Sequence, residues 1–106
     1  MEGAKRMDMV VLFGTKTRSS HLIHRLRTET ICWVRQARGL QGATVLLRRH
    51  PTDCIIDETM RPNAISALRD FLACQTPDVA VHLIDPLNLS QVEGVMRKLK
   101  GATAHE

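Results

Sequence analysis

The chain is 106 residues long, 43% hydrophobic and 25% charged, and 15 lysines and arginines against 11 acids leave a formal net charge of +4. That length holds one domain, residues 1–106, whose core needs no disulfide or metal staple. The aromatic residues are Phe13, Trp33 and Phe71 alone, so the core falls to Leu, Val, Ile, Ala and Met, and nucleic-acid binding by base stacking is disfavoured for want of exposed rings.

The basic start Lys5-Arg6 is followed by an apolar run of only Met9 to Phe13, too short for a secretory signal. No later stretch is long enough to span a bilayer. Met9–Phe13, closed by Gly14, reads as a buried strand. Ser19 or Ser20 then caps a helix that turns Leu22, Ile23 and Leu26 toward the core. Ile31-Cys32-Trp33-Val34 is a second strand signal, because its residues are β-branched or aromatic and its helical spacing is poor. After Gly39 and Gly42, Ala43–Leu47 predicts a helix that stops before Pro51.

Cys54–Asp57 is the third strand. Pro62-Asn63 opens a helix with Ile65, Leu68, Phe71 and Leu72 on one face. Thr76-Pro77-Asp78 is a turn, and Val79–Ile84 is the fourth strand. Asn88 or Ser90 starts a last amphipathic helix through Val92, Val95, Met96 and Leu99, ended by Gly101. Four alternations of strand and helix with short connections predict right-handed crossovers and a parallel sheet covered on both faces. The ends, residues 1–7 and 102–106, are expected to be flexible.

Cys32, Cys54 and Cys74 are odd in number, lack CxxC spacing and sit in apolar contexts. They read as buried, reduced thiols of a cytoplasmic protein. His21 and His24 stand three apart on a helix with no second ligand pair, so surface histidines are expected and no metal or other cofactor is. The basic clusters Arg25/Arg27, Arg48/Arg49/His50 and Arg97/Lys98/Lys100 read as solvated helix faces, with phosphate or acidic lipid as the alternative contact. Gly14-Thr15-Lys16-Thr17 lacks the glycines of a phosphate loop. Ser19, Ser20, His21 and Asp57 supply the residue types of a hydrolytic triad without a GxSxG elbow, so no enzyme is expected.

The stretch Asp53-Cys54-Ile55-Ile56-Asp57-Glu58-Thr59-Met60-Arg61-Pro62 is the most informative. A buried parallel strand ending in an acid aims that acid into the crevice of an open α/β sheet, where it can accept phosphate, ligate a metal or cap a loop. Together with Thr76-Pro77-Asp78-Val79-Ala80-Val81 and Lys100-Gly101-Ala102, and over nearly the whole chain, it resembles the receiver domain of two-component response regulators. The resemblance implies a three-layer, flavodoxin-like α/β fold with an open parallel sheet, and Asp57 at the phospho-acceptor position.

The chain departs from receivers at the chemistry. Gly14-Thr15 stands where the family has its magnesium-holding acidic pair, and Ile84 stands in place of the switch hydroxyl. The family's lysine lies at the end of a fifth strand, and the sequence ends about where that strand would begin, so an open sheet that lacks or truncates its fifth strand is expected. Asp8 and Glu58 are the remaining nearby acids, with Asp8 expected at the wrong end of strand one. One carboxylate is a poor magnesium site, and phosphoryl transfer needs the cation. The pattern is similar to degenerate receivers, among them the amino-terminal receiver-like domain of the eighth-family cAMP phosphodiesterases, which Val10–Lys16 and Cys54–Asp57 resemble.

The expected function is therefore a non-catalytic regulatory or protein-interaction domain in signalling. A phospho-accepting receiver using Asp57 and a basic module for nucleic acid or acidic lipid are the alternatives. Without a fifth strand, the fourth is an edge with unpaired backbone groups. Val79, Val81 and Leu83, with Val92, Val95, Met96 and Leu99 of the last helix, are the expected surface for a protein partner, a second copy or the rest of a longer chain.

Overall fold

The computed structural model describes residues 9–104. Strands β1 (Met9–Phe13), β2 (Trp33–Ala37), β3 (Cys54–Asp57) and β4 (Val81–Ile84) alternate with helices α1 (Lys16–Glu29), α2 (Leu40–Arg49), α3 (Pro62–Gln75) and α4 (Leu89–Ala104). All pairings are parallel, in the order β2-β1-β3-β4. This is the expected α/β architecture, a flavodoxin-like three-layer fold with four strands among the described residues.

The two central strands are the two continuous apolar runs. Val10, Val11, Leu12 and Phe13 of β1 and all of Cys54–Asp57 are buried, as strands covered on both faces must be. Alternation divides them between two cores. Val10, Leu12 and Ile55 pack with Leu22 and Leu26 of α1 and with Val92, Val95, Met96 and Leu99 of α4. Val11, Phe13, Cys54 and Ile56 pack with Ala43 and Leu47 of α2 and with Leu68 and Leu72 of α3.

Several boundaries differ from expectation. β2 begins at Trp33, two residues later than its apolar run, because its register is set by β1, with Met9 opposite Trp33 and Phe13 opposite Ala37. As an edge strand it tolerates Arg35 and Gln36, which an apolar pattern cannot flag. β4 is likewise shorter than the run it was read from, beginning at Val81. Helix α1 starts before the two serines: Thr15 is the N-cap, and its hydroxyl accepts from the Arg18 amide at 3.4 Å. Helix α2 starts at Leu40, three residues early, with Gly39 as its N-cap. Helix α4 runs through Gly101 to Ala104 instead of ending at the glycine.

Cys32 and Cys54 are buried as expected, but Cys74 is exposed, because it falls on the outer side of the last turn of α3. Burial, aided by the charge of Asp53, pushes the Cys54 thiol up to about 12, so it is inert. Asp8 and residues 1–7, together with 105–106, lie outside the described residues. No described helix is long and apolar enough to cross a membrane.

Candidate functional site

The strand order places a crevice between the carboxyl ends of β1 and β3, where open α/β sheets bind ligands. Asp57 ends β3 there with no solvent exposure. Its Oδ1 accepts from the Thr59 amide at 2.8 Å and the Thr59 hydroxyl at 2.7 Å, the local turn an aspartate makes with the residue two ahead. Its Oδ2 accepts from Arg18 Nε at 3.0 Å. The same guanidinium donates through Nη2 to Asp85 Oδ1 at 2.7 Å, and that oxygen also accepts from the Leu87 amide at 3.0 Å. One cation from the first turn of α1 thus bridges the acids that follow β3 and β4. The bond to Asp57, with the charges of Asp57 and Asp85, raises the Arg18 pKa against a smaller desolvation effect, so the guanidinium stays charged.

The position before Thr15 is closed by shape. A Cβ built on Gly14 would lie 3.0 Å from the Asp57 Cβ and 3.4 Å from the Ser19 hydroxyl. The first contact involves an atom fixed to the backbone, so a larger residue would push β1 and β3 a few tenths of an ångström apart here. Ser19 is fully buried, and its Oγ has no hydrogen-bond partner among the described residues. Gly14 is further tied by its amide to the Ala37 carbonyl at 3.0 Å and by its own carbonyl to the Gln36 side chain.

These residues do not fit a magnesium ion. Gly14 cannot carry a ligand, Thr15 caps a helix, Asp57 is committed to three donors, and the nearest positive charge is already a guanidinium. Among the described residues no group of three His, Cys, Asp or Glu side chains could hold a metal. Glu58 is exposed, turned to solvent immediately after the site.

Of the expected site residues, only Asp57 lies at this crevice. Sequence reasoning gave no role here to Arg18, Asp85 or Thr59, and weighed Ser19 only as a helix cap or a hydrolytic residue type. The capping threonine at 15 would have put Arg18 in a first turn, and Asp85 repeats the acid-after-strand signal of Asp57. The expected interaction surface divides. Val79 and Val81 are partly buried against the α2–α3 core, and Leu83 is 42% exposed at the β4 edge. Val92, Val95, Met96 and Leu99 are buried in the α1–α4 core, which corrects their assignment to a partner surface. Burying such a side chain is worth about 1.5–3 kcal/mol, and the sheet and α1 already provide the apolar face that stripe needs. His21 and His24 are exposed on α1.

No family model matches the chain, and no curated protein or solved structure does.

Proposed function

We propose that the chain is a receiver-like domain without phosphoryl chemistry, acting as a regulatory interaction module in the cytoplasm. The observation that carries this reading is the Arg18 bridge. Receiver-type phosphorylation needs a carboxylate open to a divalent cation and to an incoming phosphoryl group. Here the carboxylate that would accept it is enclosed, hydrogen-bonded on both oxygens, and held by a fixed cation that also binds Asp85. A guanidinium supplies the positive charge that keeps two acids together, but it has no exchangeable coordination position. The arrangement supports a structural role, a latch between α1 and the loops after β3 and β4.

Incubation with acetyl phosphate and Mg²⁺ tests the reading. No mass increase is expected, and an acyl phosphate on Asp57 would overturn it. The β4 edge, with Leu83 exposed and the backbone groups of alternate residues facing outward, supports pairing with a partner chain through that strand. Light scattering on the eluting protein checks for a second copy there, and a clean monomer at high concentration would count against self-pairing.

A further inference from the structure

The opposite edge of the sheet carries a more specific signature. Among the described residues β2 pairs with β1 alone. The Gly14 amide donates to the Ala37 carbonyl, and the parallel register sets Val34 opposite Val10 and Gln36 opposite Leu12. In a parallel ladder the backbone groups of alternate residues point the same way, so those of Trp33, Arg35 and Ala37 face β1. The amides and carbonyls of Val34 and Gln36 face outward.

A cleft of about 570 Å³ runs along this edge, bounded by α1, β2 and Leu46 of α2. Its basic walls are Lys16, Arg27 and Arg35, with the His24 imidazole beside them, and no acid lines it. None of these four has an acidic partner among the described residues. At the head of the strand Trp33 is 75% exposed, beside the exposed Ile31.

We propose that this edge receives an extended acidic peptide, which adds as a strand to β2. This rests on the reading of the chain as an interaction module and names the partner's chemistry. Two amides and two carbonyls in a row are a template that a strand satisfies and a nucleic acid does not. The cations lie on both sides of that template: Arg35 shares the α2 side of the sheet with Trp33 and Ala37, while Lys16 and Arg27 come from α1 on the other. An added strand points alternate side chains to the two sides, so acids at successive positions all meet positive charge. Trp33 offers an apolar anchor of the kind that dominates peptide interfaces. A second copy of this chain is disfavoured as occupant, since pairing β2 with itself would bring like charges together.

The probe is an alternating glutamate–valine peptide of about ten residues, enough to cover a strand of ordinary length. Trp33 is the single tryptophan of the chain, so its emission reports binding directly. Saturable binding that weakens steeply with salt is expected, together with slowed amide exchange at Val34 and Gln36. Arg35→Glu and, separately, Lys16→Glu should each weaken binding by about tenfold or more, with circular dichroism unchanged. Replacing the peptide's valines by proline, which cannot donate to an edge, should weaken it comparably.

Several outcomes would overturn the proposal: no saturable change, equal binding of the proline peptide, undiminished binding by both variants, or protection at Val81 and Leu83 instead. Tighter binding of an oligothymidylate than of the peptide would also overturn it, in favour of nucleic acid. Phosphorylation of Asp57 would sink the functional reading above and leave this result standing, so the two failures are distinguishable.

Discussion

At the carboxyl end of β3 the buried acid and the acid after β4 share one cation, whereas along the outer edge of β2 positive charge collects with no acidic partner among the described residues. Arg18 and Arg27 belong to the same helix, nine residues apart in sequence, yet the first bridges Asp57 and Asp85 and the second lines an open cleft. The flank of α1 that faces α4 follows the first pattern. Arg25 binds Glu29 through two bonds of 2.6 and 2.8 Å and also reaches Glu93, and Lys100 binds Glu29 at 2.7 Å. Charge inside the fold, or between its elements, is neutralised locally. Lys16, Arg27 and Arg35 at the β2 cleft have no acidic partner among the described residues. A residual field of that kind steers and selects partners more than it stabilises the fold.

The largest expected effect comes from attacking the closed region at its tightest contact. Gly14→Ala forces a methyl against the Asp57 Cβ and should cost about 1–3 kcal/mol. Gly14→Asp, which restores one receiver acid, adds a second carboxylate beside a buried one and should cost about 3 kcal/mol or more. Urea denaturation measures both, and a neutral Gly14→Asp would show that the crevice is roomier and more open to cations than its geometry implies.

Next comes a crossed pair. Arg18→Met should lower the urea midpoint with little change in slope, because it strands Asp57 in the interior, and it should leave peptide binding at β2 intact. Arg35→Met should do the reverse, shifting stability by no more than about 0.5 kcal/mol while weakening the peptide. If both substitutions reduced the same property, the two regions would not be separate.

A smaller effect concerns pH. Hydrogen bonds from Arg25 first and Lys100 second lower the Glu29 carboxyl from 4.5 to about 2. A carboxyl depressed in the folded state stabilises above its unfolded value, and that contribution is lost as pH falls from about 4.5 toward 2. The wild-type midpoint should drop across that window, Glu29→Gln should flatten part of the drop, and added salt should do the same because the group is exposed. An unchanged acid limb in Glu29→Gln would place the sensitivity elsewhere. The smallest effect is expected at Trp33. Trp33→Ala should shift stability within about 0.5 kcal/mol, since an exposed ring buries little, and acrylamide should quench the native indole almost as well as the unfolded one.

Legibility in the sequence followed burial. β1 and β3 were readable to the residue because central parallel strands are unbroken apolar runs. β2 was not, because half of an edge strand faces solvent and its limits are set by the strand it pairs with. The apolar stripe of α4 was readable as a stripe, but its assignment to a partner was wrong: a stripe records that something covers it, and here the covering is the chain's own sheet and α1. Asp57 stood out as an acid after a buried strand. Arg18 did not, because a single arginine near a helix start carries no pattern of its own.

Alternating short apolar runs and amphipathic segments, with turn residues between them, were enough to determine an α/β domain and the acid at the tip of its third strand. That information is local, written in the period of hydrophobic residues and the chemistry of turns. Only the tertiary structure decided what that acid touches. Arg18 reaches across 39 residues to Asp57 and 67 to Asp85 because parallel crossovers bring the ends of β1, β3 and β4 to one rim, and no spacing in the sequence encodes that meeting. It also decided which cations remain unmatched, because a charge is left over only after every neighbour in space has been counted.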